Sequence, residues 1–111
     1  MTLREFEARL RAVTPDVSHF SARCPTAPYL VWAEDSQGES VYADNAGEDM
    51  ALQGTVDLFT QREYDPLAGK VQTVLTQAGM AWRLNSIQYE DEARLYHYEW
   101  VWEGAMAPWD T

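Results

Sequence analysis

Residues 95–103 constrain this chain more than any other stretch. Tyr96, Tyr98, Trp100 and Trp102 alternate there with His97, Glu99, Val101 and Glu103. Side chains of an extended strand point to opposite faces in turn, so the pattern reads as a strand with one aromatic and one polar face. The aromatic row is expected in the core, with Tyr98 and Trp100 more buried than His97 and Glu99. A base-stacking surface is the other use of such a row, but it needs cationic neighbours. Here the neighbours are Glu90, Asp91, Glu92, Glu99 and Glu103.

The preceding stretch, Ala81 to Tyr89, also alternates, but its phase slips. Trp82 and Leu84 share one parity, Ile87 and Tyr89 the other. A β-bulge near Asn85–Ser86 restores a common face. Asp91-Glu92-Ala93 is the turn between the two strands. Two helices are expected. Thr2 and Glu5 form a capping box, and Leu3, Phe6, Leu10 and Val13 make an apolar stripe over 2–13. Asp65-Pro66 opens the second helix as N-cap and first helical residue. Its apolar face is Leu67, Val71, Val74, Leu75 and Ala78, and Gly79 is its C-terminal stop.

Between the helices, a short extended piece at 17–23 precedes the apolar strand Tyr29 to Ala33. Ser36-Gln37-Gly38 reads as a turn and Ser40 to Asp44 as the return strand of a hairpin. Asn45 to Met50 has loop composition. Gln53 to Thr60 is a strand with Val56 and Leu58 on one face and Thr55, Asp57 and Phe59 on the other. Gly104 to Thr111 is expected to be a loose tail carrying Trp109. The fold class expected is α+β: one mainly antiparallel sheet with two helices packed on one face, in the order α-(β)-β-β-β-α-β-β, the first strand being the uncertain one. The single domain is expected over 1–103 and the tail over 104–111.

The 111 residues suit one domain, and 46% hydrophobic content supports a core without disulfide or metal staples. No apolar run approaches the length of a membrane span. The N-terminus mixes charge with apolar residues and does not read as a secretory signal. One cysteine, Cys24, gives no internal disulfide.

Eighteen acids against eight bases give a net charge of −10. Residues 1–23 carry +1 and residues 24–111 carry −11. A chain so acidic lacks the footprint for gripping nucleic acid or an anionic membrane. Arg4, Arg9 and Arg11 of the first helix could meet an acidic surface, including another copy of this chain.

Site chemistry is sparse. His19, Cys24 and His97 have no metal-ligand spacing, and the acids at 44–49 and 90–92 lack the calcium-loop pattern. No phosphate-binding, dinucleotide-binding or nucleophile-elbow motif occurs. The expectation is a non-enzymatic interaction or assembly protein with no cofactor. Candidate interface residues are Arg4, Arg9, Arg11, Asn45, Gly47, Glu48, Asp49 and Trp109.

An ordered series of segments resembles a known group. It comprises Pro28-Tyr29-Leu30-Val31-Trp32, Tyr42-Ala43-Asp44-Asn45, Gly54-Thr55-Val56-Asp57-Leu58-Phe59-Thr60 and Glu63-Tyr64-Asp65-Pro66. Ser86-Ile87-Gln88-Tyr89-Glu90-Asp91-Glu92 and His97-Tyr98-Glu99-Trp100 complete it. Over roughly 19–103 the chain resembles small tail proteins of long-tailed bacteriophages and prophages. Among them it is most similar to the tail terminator, or tail completion, group; head–tail joining proteins are of similar size. The resemblance implies an α+β subunit in a homo-oligomeric ring, commonly a hexamer, found in the virion tail and in the host cytoplasm before assembly. Its partners would be its own copies, the tail tube protein and the head–tail connector protein. DNA would pass through the ring without specific binding, and no membrane is involved. No active site is carried over. At −10 per chain, six copies carry roughly −60, which would repel DNA phosphates from an acidic lumen. Asp57 is the candidate pore-lining residue; an ordinary solvated sheet face is the plainer reading of it. The alternative from another class is an acidic inhibitor, such as an immunity protein or DNA mimic.

Overall fold

The computed structural model describes residues 1–22, 26–38 and 50–107. Its elements are α1 (Leu3–Leu10), β1 (Val17–His19), β2 (Tyr29–Gln37), β3 (Met50–Thr60), α2 (Leu67–Gln77), β4 (Ala81–Glu90) and β5 (Leu95–Met106). The five strands form one sheet in the order β1-β2-β3-β5-β4. β1 runs parallel to β2, and every other neighbouring pair is antiparallel. The fold class is α+β, as expected. β3, α2 and β4 form a split β-α-β unit, with β5 inserted between its two strands.

Both helices cover the same sheet face. Residues directly opposite across a ladder share a face. Trp32, Val56, Trp100 and Leu84 are in register across four strands. Phe6 of α1 meets the rings of Trp32 and Trp102 at 5.4 and 5.0 Å. Gln72 of α2 accepts a hydrogen bond from Trp100 Nε1. Leu3, Phe6 and Leu10 from α1, with Val71 and Leu75 from α2, join Leu30, Leu58, Tyr98 and Met106 in the core. The aromatic row of β5 is the buried one: Trp100 and Trp102 are fully enclosed, and Tyr98 nearly so.

The local signals act as their chemistry dictates. Thr2 Oγ1 accepts from Glu5 N–H while Glu5 Oε1 accepts from Thr2 N–H, closing the capping box. α2 begins at Leu67 with Pro66 in the N-cap position, one residue later than the sequence suggests, and Asp65 Oδ1 accepts the Leu67 N–H from just outside the helix. Asp65 Oδ2 also accepts from Thr60 Oγ1, which ties the end of β3 to the start of α2. Gly79 takes φ +77°, the left-handed stop expected after α2. The ladder between β4 and β5 shifts register between Leu84 and Ser86, so Asn85 is the bulge. It brings Leu84, Ile87 and Tyr89 onto the helix-side face, opposite Trp100, Tyr98 and Tyr96.

Several boundaries differ from the sequence expectation. α1 stops at Leu10, not Val13, yet Val13 stays buried beyond it. β2 runs through the expected turn at Ser36–Gln37, because those residues pair with Gln53 and Leu52 of β3. β3 starts at Met50, where a loop was expected. β5 runs past Glu103 to Met106, so Gly104 to Met106 belong to the sheet, and Ala107 makes an isolated bridge to Thr2. Gly104 suits the strand because Met80 Sδ lies 2.2 Å from where a Cβ would sit. The expected return strand 40–44 lies outside the described residues, and the antiparallel partner of β2 is β3.

Candidate functional site

Neither helix covers the other face of the sheet. Its middle is built by β3 and β5 with contributions from the flanking strands. In one register row lie Tyr29, Phe59, His97 and Gln88; in the next lie Val31, Asp57, Glu99 and Ser86. The first row is an aromatic lane. Tyr29 stacks on Phe59 at 4.8 Å, and Phe59 stacks on His97 at 4.2 Å. The second row carries the charge.

His97 joins the rows. Its Nε2 lies 2.6 Å from Asp57 Oδ1, and its Nδ1 lies 3.5 Å from Glu90 Oε1. Asn85, the bulge residue, donates to Glu99 Oε1 at 2.6 Å and accepts from Arg83 Nη1 at 2.7 Å. The bulge thus supplies a polar side chain that ties Glu99 to Arg83. Burial raises the Asp57 carboxyl above its usual range; the hydrogen bond and charge of His97 oppose this, and Glu99 adds to it. Burial likewise raises the Tyr29 hydroxyl, with Glu90 adding to it.

A histidine beside a carboxylate invites comparison with a catalytic dyad. A general base needs a free ring nitrogen within reach of the proton it abstracts. Both nitrogens of His97 already face carboxylates. Among the described residues no hydroxyl or thiol bonds to either imidazole; His19 Nε2 meets Glu34 Oε1 at 2.6 Å on the opposite face of the sheet. A hollow of about 310 Å³ lies between Gln53, Trp82, Arg83 and Trp102, and neither Asp57 nor His97 lines it. What the arrangement can do is present an acid-bearing, partly aromatic surface.

The expected site residues separate in space. Asp57 lies at the centre of the open face, partly buried. Arg4 and Arg9 are exposed on α1. Arg11 is engaged within the chain, donating to Pro15 O at 3.0 Å and Val17 O at 3.3 Å, beside Glu7 at 3.6 Å. Asn45, Gly47, Glu48, Asp49 and Trp109 lie outside the described residues. The sequence reading missed the contacts of His97 with Asp57, which needs the β3–β5 pairing, and with Glu90, which lies across the β4–β5 hairpin. It also missed Phe20, which takes φ +69° and is 62% exposed.

No protein-family model matches the chain, and no curated protein matches it.

Proposed function

We propose that this chain is a non-enzymatic structural protein of a phage or prophage tail. Copies of it form a ring, a hexamer in this reading, that terminates the tail tube and joins it to the head. The observation that carries the reading is the open sheet face. Among the described residues, the sheet keeps both helices on one side and leaves on the other a surface with Asp57 and Glu99 at its centre and Glu90 at the end of β4. Turned toward the hole of a ring, that surface would hold carboxylates against passing DNA and repel its phosphates. The ordered tail-protein segments support the same reading, and so does the net charge of −10. The two carboxylates facing the nitrogens of His97 support a non-enzymatic role.

The test is tube growth in vitro. Purified tail tube protein is polymerised with and without this chain and imaged by negative stain. The expected result is tubes of limited length, each ending in a ring. Tubes that grow to the same length and carry no cap would contradict the terminator role; a ring that binds only the head connector would favour a joining role.

A further inference from the structure

His97 is placed so that one proton decides how three strands meet. Its ring stands on β5, stacked on Phe59 of β3 at 4.2 Å. Nε2 lies 2.6 Å from Asp57 Oδ1 on β3. That is shorter than the roughly 2.9 Å usual for a neutral N–H···O bond and is in keeping with a charge-assisted one. Nδ1 lies 3.5 Å from Glu90 Oε1 at the end of β4, an ion-pair distance. The two arms also differ in exposure. The side chains of Asp57 and His97 are 16% and 22% exposed, that of Glu90 38%.

A neutral imidazole offers one N–H and one lone pair. Set between two ionised carboxylates, it donates to one and must turn its lone pair toward the other. One further proton removes the conflict. It can sit on the ring, which then donates both ways, or on Asp57, whose carboxyl then donates to Nε2 while Nδ1–H faces Glu90. The two forms share one macroscopic proton. Nearby negative charge favours keeping it. Glu99 stands beside Asp57 and adds such charge. Among the described residues no arginine or lysine pairs with Asp57, Glu90 or Glu99, and Arg83 reaches Glu99 only through Asn85. From β2, Tyr29 stacks on Phe59, and its hydroxyl, raised by burial and then by Glu90, brings no charge near neutrality. His19 is the contrast: its Nε2 faces one acid, Glu34, and a neutral ring satisfies that contact.

We propose that Asp57, His97 and Glu90 form a proton-held clasp across β3, β5 and β4. Above the ordinary imidazole range, the trio of the folded chain binds one proton more than the same groups of the unfolded chain, and it gives that proton up as the pH rises further. The Glu90 arm, longer and more exposed, then loses its attraction and opens, while Nε2–H stays on Asp57. While closed, the clasp takes one negative charge off the open face and ties the end of β4 to β5. A proton held more tightly by the folded state adds stability that is fully present below about pH 6.5 and is lost above it as the clasp releases. The clasp belongs to the single chain and goes beyond the ring reading.

Glu90→Gln tests it, because the shape stays and the charge of the longer arm goes, so the proton is held less tightly. Circular dichroism verifies that the variant is folded. Folding equilibrium constants come from denaturant melts between about pH 5.5 and about pH 9, on either side of the ordinary imidazole value. The ratio of the wild-type constant to that of the variant is expected to be level at the acid end. Above about pH 6.5 it is expected to fall, by up to about tenfold per pH unit, the slope for one proton. A ratio that stays level throughout, or rises with pH, overturns the clasp. Nitrogen-15 spectra of labelled histidine give a second reading that needs no unfolding, with His19→Gln to assign the ring signals. His97 Nδ1 is expected to carry a proton at the acid end, to lose it over the interval in which the ratio falls, and to lose it at lower pH in Glu90→Gln. An Nδ1 already bare at about pH 7, or unmoved by Glu90→Gln, overturns the clasp as well.

Discussion

Asp57 sits where burial and its neighbours pull in opposite directions. Burial is the largest influence and raises its carboxyl, while the His97 hydrogen bond lowers it. The folded state therefore holds the Asp57 proton more tightly than the unfolded chain does. For such a group the contribution to stability is present below the ordinary carboxylate range and is lost as pH rises through the raised folded value. At neutral pH the charged carboxylate opposes folding. Asp57→Asn keeps the shape and an oxygen for His97 but removes the charge. It is expected to melt at or above the wild type at neutral pH, and the gap is expected to close as the pH falls into the range where Asp57 takes up its proton. Thermal melts of both proteins from acid to neutral pH check this. A variant clearly less stable at neutral pH would mean that the His97 pair outweighs burial. Neither the sign of this effect nor the His97 contact is legible in the sequence. Both residues could be placed on the polar face of their strands, but the contact depends on two strands separated by a helix and another strand.

The β5 strand carries the centre of the core. Trp100 is fully buried, its ring stacked near Tyr98 at 5.8 Å and its Nε1 bonded to Gln72. Trp100→Ala is expected to cost about 3–5 kcal/mol, the range for emptying a large aromatic site. Denaturant melts measure it, and a loss below about 1 kcal/mol would mean that the row is not the core. This row was legible because alternation is a local pattern that survives any choice of partner. The Asn85 bulge was legible for the same reason: two apolar pairs of opposite parity can share one face only if a residue is inserted between them. The ends of strands were less legible. Ser36 and Gln37 have turn chemistry, yet pairing with β3 holds them extended. Gly104 looks like a stop, yet Met80 fills the space beside it. Gly54 is similar: a Cβ there would lie 2.0 Å from Ala33 O and 2.6 Å from Trp102 Cζ2, so the indole packs where a side chain would go. Such fits depend on residues far away in sequence, which local propensity does not register.

Taken as one body, the molecule is a sheet with a helical back, an acidic front and two unlike edges. Charge works against the proposed ring: each copy brings −10 to its neighbours. That repulsion acts over the distance between whole subunits and is screened beyond about 10 Å at 0.1 M salt. Pairs in contact across an interface are screened less. Raising the salt from very low to moderate should therefore strengthen assembly. The decisive measurement is the mass distribution of the purified chain, by sedimentation or mass photometry, across a salt series at fixed protein concentration and with tail tubes added. The account predicts a closed species of six chains that grows with salt up to moderate ionic strength and binds tube ends. A chain that stays monomeric at every salt concentration and ignores the tubes would contradict it and favour an acidic inhibitor.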